Sequence, residues 1–186
     1  MIYGVFGGTF DPPHLGHLQI VDTVLNSKLV DEIFIIPCLI HVFGKNPVSF
    51  EDRLNMCSIM FDSHSKLTVL DIEKELNNPG RTFELLQLLI KKFSNSRFRL
   101  IAGLDIFYER KKWYKFKEIE KIAPPIYLKR KGIEIKSESL PNLLDAPIEV
   151  SSSDIRKRFQ TGQKIENLVT PSVNDYIINN KLYGVK

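Results

Sequence analysis

Cysteine is nearly absent from this chain. Cys38 and Cys57 are the only two, too few and too far apart for a disulfide framework or a zinc ribbon, so a reducing compartment is expected. Long apolar runs are missing as well. No stretch approaches the roughly 20 residues that a bilayer-spanning helix needs. The chain starts on a strand-like segment, with no basic stretch leading into an apolar one, so no secretory leader is expected and the protein is expected to be cytoplasmic. Charge of one sign is scarce too. The balance of 26 basic and 22 acidic residues gives +4, too small an excess to imply nucleic-acid binding and equally suited to polyanionic small molecules. The basic runs Arg110-Lys111-Lys112 and Lys129-Arg130-Lys131 are short and read as solvated faces. No basic stripe interleaved with aromatics is found, which disfavours a nucleic-acid module. Repeats and low-complexity segments are lacking. What remains is an ordinary globular composition, 43% hydrophobic and 26% charged over 186 residues, enough for one domain over 1–186 with its own core.

The most informative stretch is Gly7-Gly8-Thr9-Phe10-Asp11-Pro12-Pro13-His14-Leu15-Gly16-His17. An apolar, strand-length run, Ile2 to Phe6, leads into it, and the helix-like run Leu18 to Leu25 follows. A strand, a glycine-rich turn and a helix start form a natural anion site, because backbone N–H groups and the positive end of the helix dipole converge there. The glycine spacing fits neither the Walker loop nor the dinucleotide fingerprint. Gly7 and Gly8 permit close ligand approach. Pro12 and Pro13 are expected to stiffen the turn and open the helix. His14 and His17, three residues apart, can face one side of the first helical turn. Beside phosphates these imidazoles can donate hydrogen bonds, and anionic neighbours favour their protonation. The plainer alternative is a pair of histidines capping a helix. Zinc is a third reading, but no further ligand is evident, so no resident metal is expected.

Downstream, short apolar runs alternate with helical periodicity. Strands are expected at Glu32 to Pro37, Lys66 to Asp71, Arg97 to Ala102 and Ile126 to Leu128, with a short last one from Pro147 to Val150. Ser49 should cap a helix carrying Leu54, Cys57 and Phe61. After the turn Asn77-Asn78-Pro79-Gly80, Thr82 should cap a helix whose buried face is Phe83, Leu86, Ile90 and Phe93. Lys115 to Ile122 reads as a short helix, and Lys131 to Leu144 as a surface loop. This alternation predicts a doubly wound parallel sheet of the α/β, Rossmann-like class. Its ligands bind at the carboxyl ends of the strands, where strand order reverses.

A second helix start lies far downstream, Ser151-Ser152-Ser153-Asp154-Ile155-Arg156. Serines bond the first amides of a helix, and an arginine one turn on suits phosphate. Taken alone, a plain serine cap is the better reading.

Together the two stretches resemble the two signatures of the nucleotidylyltransferase superfamily, H-x-G-H and I-S-S-T-x-I-R, in the expected order. The middle of the chain resembles the nicotinate-nucleotide adenylyltransferase branch. Gly103-Leu104-Asp105 with Trp113, Arg81-Thr82-Phe83, Lys129-Arg130-Lys131-Gly132, and the tail from Thr170-Pro171 to Leu182-Tyr183 are similar to its motifs. The chain departs from the branch in its His41-to-Lys45 loop, where relatives often carry P-P-H-K, in Leu104 for alanine, and in lacking a tyrosine before Thr82. The resemblance implies adenylyl transfer from ATP to a pyridine mononucleotide, nicotinate mononucleotide foremost, in NAD biosynthesis. It implies His14 and His17 as catalytic. ATP would be held by Gly7, Gly8, Thr9, Phe10, Gly103, Asp105, Ser152, Ser153, Ile155 and Arg156. The mononucleotide would be held by Lys45, Thr82, Trp113 and Arg130. Mg2+ would accompany ATP, bridging phosphate oxygens. Core packing is the ordinary use of a lone tryptophan such as Trp113. Two alternatives remain open at this point: a phosphopantetheine or other small-phosphate nucleotidylyltransferase, and a catalytically silent nucleotide sensor.

Overall fold

In the computed structural model, residues 1–40, 47–129, 140, 142–146, 149–165 and 167–185 are described. The strands are β1 (Ile2–Gly8), β2 (Glu32–Pro37), β3 (Leu67–Val69), β4 (Arg97–Gly103), β5 (Ile126–Lys129) and β6 (Leu143–Asp145). The helices are α1 (Leu15–Asn26), α2 (Phe50–Phe61), α3 (Thr82–Lys92), α4 (Leu104–Glu109), α5 (Phe116–Ile122), α6 (Ser152–Gln160) and α7 (Pro171–Asn179). The sheet runs in the order β3-β2-β1-β4-β5-β6, and every neighbouring pair is parallel. The chain winds outward from β1 to β3, then returns to β1's other side through β4. This is the doubly wound arrangement expected from the alternation of elements.

The strands read as continuous apolar runs because both faces are covered. Phe6, Ile33, Ile35, Ile101, Ile126 and Leu128 face α1, α2, α6 and α7. The alternate residues Val5, Phe34, Ile36, Leu100, Ala102 and Tyr127 face α3 and α5. The period of two in side-chain direction thus splits one sheet between two cores.

Strand register opens the binding edge. β1 stays paired with β2 as far as Gly8↔Pro37, and β4 stays paired with β5 to Gly103↔Leu128. Between β1 and β4, however, the ladder stops at Val5↔Leu100. The last three residues of each strand therefore part company, and a crevice opens where strand order reverses.

Four expectations need correction. The last strand is Leu143–Asp145, overlapping the end of the stretch expected to be loop; Pro147 and Ile148 lie outside the described residues. Three residues are too few to show periodicity, yet Leu143 reaches one core and Leu144 the other. The buried face of α3 is Leu85, Leu86 and Leu89, while Ile90 is exposed. Thr82 is the first residue of α3, and Arg81 takes the cap position. The prolines do not open α1, which starts at Leu15 with His14 as its cap; the Asp11–Pro12 bond is cis.

Tyr127 sits in the second core 3% exposed, and its hydroxyl has no partner among the described residues. Burial, with Glu120 nearby, pushes its ionisation up to about 12. A buried hydroxyl without a partner carries a desolvation cost that a phenyl ring of the same shape avoids. Tyr127→Phe is therefore expected to stabilise the fold by about 1 kcal/mol. A thermal melt checks this, with Tm rising by about 2–4 °C.

Candidate active site

The histidine turn is built on a strained core residue. Phe10 has φ +50°, in the left-handed region that a bulky residue rarely adopts. Its ring is buried and packs on Phe6, His17 and Phe61 at 5.4, 4.9 and 6.5 Å. That burial offsets the strain and seats the turn on the first core. Gly8 lies against the same ring, where a Cβ would come within 3.1 Å of it.

The two imidazoles stack, with centroids 3.7 Å apart and planes inclined by 27°. Nδ1 of His17 accepts the backbone N–H of His14 at 3.0 Å. The capping reading is therefore true of the His17 ring, and it has a chemical consequence. An accepting Nδ1 leaves Nε2 as the ring nitrogen that can donate.

The first turn of α1 is also less open than expected. The Leu15 amide donates to the Leu168 carbonyl at 2.9 Å, and the His17 amide to the His14 carbonyl at 2.8 Å. These two N–H groups serve the fold.

The second helix start closes on this loop. The Ser151 hydroxyl accepts the Asp154 amide at 3.2 Å and so caps α6. The Ser152 hydroxyl donates to the Pro12 carbonyl at 2.9 Å. Arg156 donates from Nη1 to the Asp11 carbonyl at 2.7 Å and pairs with the Asp11 carboxylate at 3.3 Å. Its Nη2 donates to the Ser153 hydroxyl at 3.3 Å. Ser152 and Ser153 are the first two residues of α6, where amides have no partner within the helix. Ile155 does not face the site with its side chain, which is fully buried in the first core. Its isoleucine identity serves packing.

Three residues that carry the site were given no role in the sequence reading. Asp11, 6% exposed, accepts the Val48 amide at 3.2 Å and the Tyr183 hydroxyl at 2.9 Å besides pairing with Arg156. Burial and the adjacent Asp11 carboxylate push the Tyr183 hydroxyl well above its usual range, so it remains a donor. Arg53, 1% exposed, donates to the carbonyls of Val48, Thr9 and Cys38. The only sequence signal for Arg53 is a charge at a position of α2 that faces the core. Asp11 was visible inside the motif, and Tyr183 in the tail.

Gly103 and Asp105 lie across the crevice, at the end of β4 and in the first turn of α4. Thr82 and Trp113 belong to the second face. Thr82 opens α3, and Trp113 packs edge-on to Phe116 at 6.0 Å, so it does pack against the core as well. By topology both lie at the carboxyl edge of the sheet. Lys45 and Arg130 lie outside the described residues, as does the rest of the His41-to-Lys45 loop. Among the described residues, no group of three or more histidines, cysteines and carboxylates is placed to hold a metal.

Gly7 offers a way to test ligand binding apart from folding. It is exposed at the end of a central strand, and a Cβ there would meet nothing nearer than the Ile36 carbonyl at 4.0 Å. The fold thus has room for a side chain where the crevice presents bare backbone. Gly7→Ala is expected to leave Tm unchanged while raising the KM for MgATP about tenfold, a loss of about 1.4 kcal/mol in binding. Melting curves beside ATP titrations check it.

Fold and site define the class: a nucleotidyltransferase. The cytidylyltransferase-like family model matches residues 5–158. The chain is 34% identical over 182 residues to a probable nicotinate-nucleotide adenylyltransferase of Anaeromyxobacter dehalogenans, covering 96% of this chain and 95% of the relative. It is 33% identical over 183 residues to the nicotinate-nucleotide adenylyltransferase of Bacillus subtilis, covering 97% of each. In fold it is similar to Plasmodium falciparum nicotinic acid mononucleotide adenylyltransferase solved with NaAD, with a TM-score of 0.85, 24% identity, and coverage of 100% of this chain and 98% of that one. The chain belongs to the nicotinate-nucleotide adenylyltransferase family.

Proposed function

We propose that the two helix-start turns hold the triphosphate of ATP between them while the phosphate of nicotinate mononucleotide attacks the α-phosphorus. The chain is an enzyme of NAD biosynthesis. It transfers an adenylyl group from ATP to a pyridine mononucleotide, giving the dinucleotide and pyrophosphate. The observation that carries the site assignment is the pair of bonds from α6 to the histidine loop, Ser152 to Pro12 and Arg156 to Asp11. They join two helix-start turns across 140 and 145 residues of chain, which supports their holding one triphosphate between them.

The attacking phosphate oxygen is already an anion, so the reaction needs no general base. Alignment of two polyanions and offset of the charge that develops supply the acceleration. His17 donates from Nε2 to the reacting phosphates, and His14 stacks against it and fixes its plane. The backbone of Gly7 to Phe10 borders the α-phosphate, and the start of α6 takes the β- and γ-phosphates. Arg156 serves twice, since it also braces Asp11. Gly103 and Asp105 border the nucleoside, and the Thr82 and Trp113 segments receive the mononucleotide. Mg2+ enters as part of the MgATP substrate. The Asp11 carboxylate is already engaged by Arg156, Tyr183 and Val48, which favours phosphate oxygens and water as the ion's ligands.

The test is pyrophosphate release with MgATP and, in parallel, nicotinate mononucleotide, nicotinamide mononucleotide and phosphopantetheine. Fastest turnover with nicotinate mononucleotide supports this reading. Turnover with phosphopantetheine alone, or ATP binding without pyrophosphate release for any acceptor, overturns it.

A further inference from the structure

The geometry points to Glu73 as a positioning residue that, across one peptide plane shared with Arg53, sets the affinity for the mononucleotide. Glu73 follows β3 in a short 3-10 turn, Ile72–Glu75, and is 5% exposed. A buried carboxylate needs a reason, because desolvation disfavours its charge. Burial indeed raises its ionisation above the ordinary carboxylate range, although two amides and Arg53 pull the other way.

The reason lies in its partners. A single oxygen, Oε2, accepts the Leu39 amide at 2.7 Å and the Gly80 amide at 3.1 Å. The Leu39 amide belongs to the same peptide unit as the Cys38 carbonyl, which accepts from Arg53 at 2.8 Å. One peptide plane is thus held from its two sides by buried charges of opposite sign. From that plane departs the loop after β2. Arg53 also holds the Thr9 carbonyl of the histidine loop at 2.8 Å. Glu73, in turn, holds Gly80, two residues before Thr82. The chain of contacts runs from the ATP side, through Arg53, the 38–39 peptide and Glu73, to the start of α3. Glu73 acts through them, by fixing the spacing between the 38–39 peptide and Gly80.

This inference rests on the assignment of the Thr82 segment to the mononucleotide, and the experiment keeps the two apart. Steady-state kinetics in both substrates, with melting curves, are measured for Glu73→Ala, Glu73→Gln and Thr82→Ala. Glu73→Ala frees both amides, and the KM for nicotinate mononucleotide is expected to rise about tenfold or more with the KM for MgATP within about twofold. Glu73→Gln keeps an acceptor oxygen but not the charge, so partial rescue is expected, with a rise of about threefold. A purely structural role would lower the folded fraction and kcat without this split between the two KM values. An unmoved mononucleotide KM in folded Glu73→Ala, or equal rises in both KM values, overturns the proposal. If Glu73→Ala does not fold, an unmoved mononucleotide KM in Glu73→Gln overturns it. A raised KM in Thr82→Ala beside an unmoved one in Glu73→Ala removes the clamp and spares the acceptor assignment. An unmoved KM in Thr82→Ala removes that assignment and the inference with it.

Discussion

His17→Ala is expected to lower kcat by about 10²–10³-fold, the usual loss when one preorganised donor is taken from developing charge. The ring has two jobs, and they can be separated. Nδ1 accepts the His14 amide and so caps α1, a bond worth about 1 kcal/mol of stability. The proposed mechanism assigns Nε2 to the reacting phosphates. His17→Asn offers an amide oxygen to the same backbone N–H but places no donor where Nε2 stood. The Asn variant should therefore melt close to the parent and be nearly as slow as the Ala variant. The checks are pyrophosphate release at saturating substrates and thermal melts of both variants. Near-normal turnover in a folded Asn variant would remove the catalytic role and leave His17 as a cap.

Asp11→Ala is expected to show the largest loss of stability. Its carboxylate gathers a cation from α6, a hydroxyl from the C-terminal turn and an amide from the segment before α2. Its removal leaves the Val48 amide and the Tyr183 hydroxyl without their acceptor and Arg156 without its counter-charge. Arg156 is partly solvated, its side chain 29% exposed, so water offsets part of that loss. About 2–3 kcal/mol remains, which lowers Tm by about 5–10 °C. The Asn variant refines the measurement. Oδ1 carries the bonds to Val48 and Tyr183, while Oδ2 faces Arg156. Asp11→Asn can retain the first two but sets its NH2 donor opposite Arg156 in place of Oδ2, so at least about half the loss is expected. Denaturant or thermal unfolding of both variants checks the ratio.

Much of this molecule was legible in the residues themselves. The strand β2, the capped start of α2 at Ser49 and the serine cap of α6 follow from local chemistry, and the structure has them where the sequence puts them. Each is fixed by neighbours a few residues away. The misplaced last strand shows the opposite case. Leu143–Asp145 forms because β5 offers an open parallel edge, which no local pattern announces. Thr82 looked like a cap by type, but the turn at Gly80, tied to Glu73, sets where α3 begins. Ile155 sat inside a phosphate-binding motif, and only burial shows that its side chain packs into the core.

By itself, the sequence pointed to the class of chemistry. Histidines three apart in a glycine-proline turn, and serines with an arginine at a helix start, are short-range patterns that can be read before any fold is known, and together they carry the family resemblance. Tertiary structure alone decided how the two meet. The ladder between β1 and β4 ends early, α6 locks onto Asp11 and Pro12, and Arg53 and Glu73 bind one peptide from opposite sides. Contacts of that kind join residues dozens of positions apart, and their partners are set by how the sheet is wound, which local sequence does not encode.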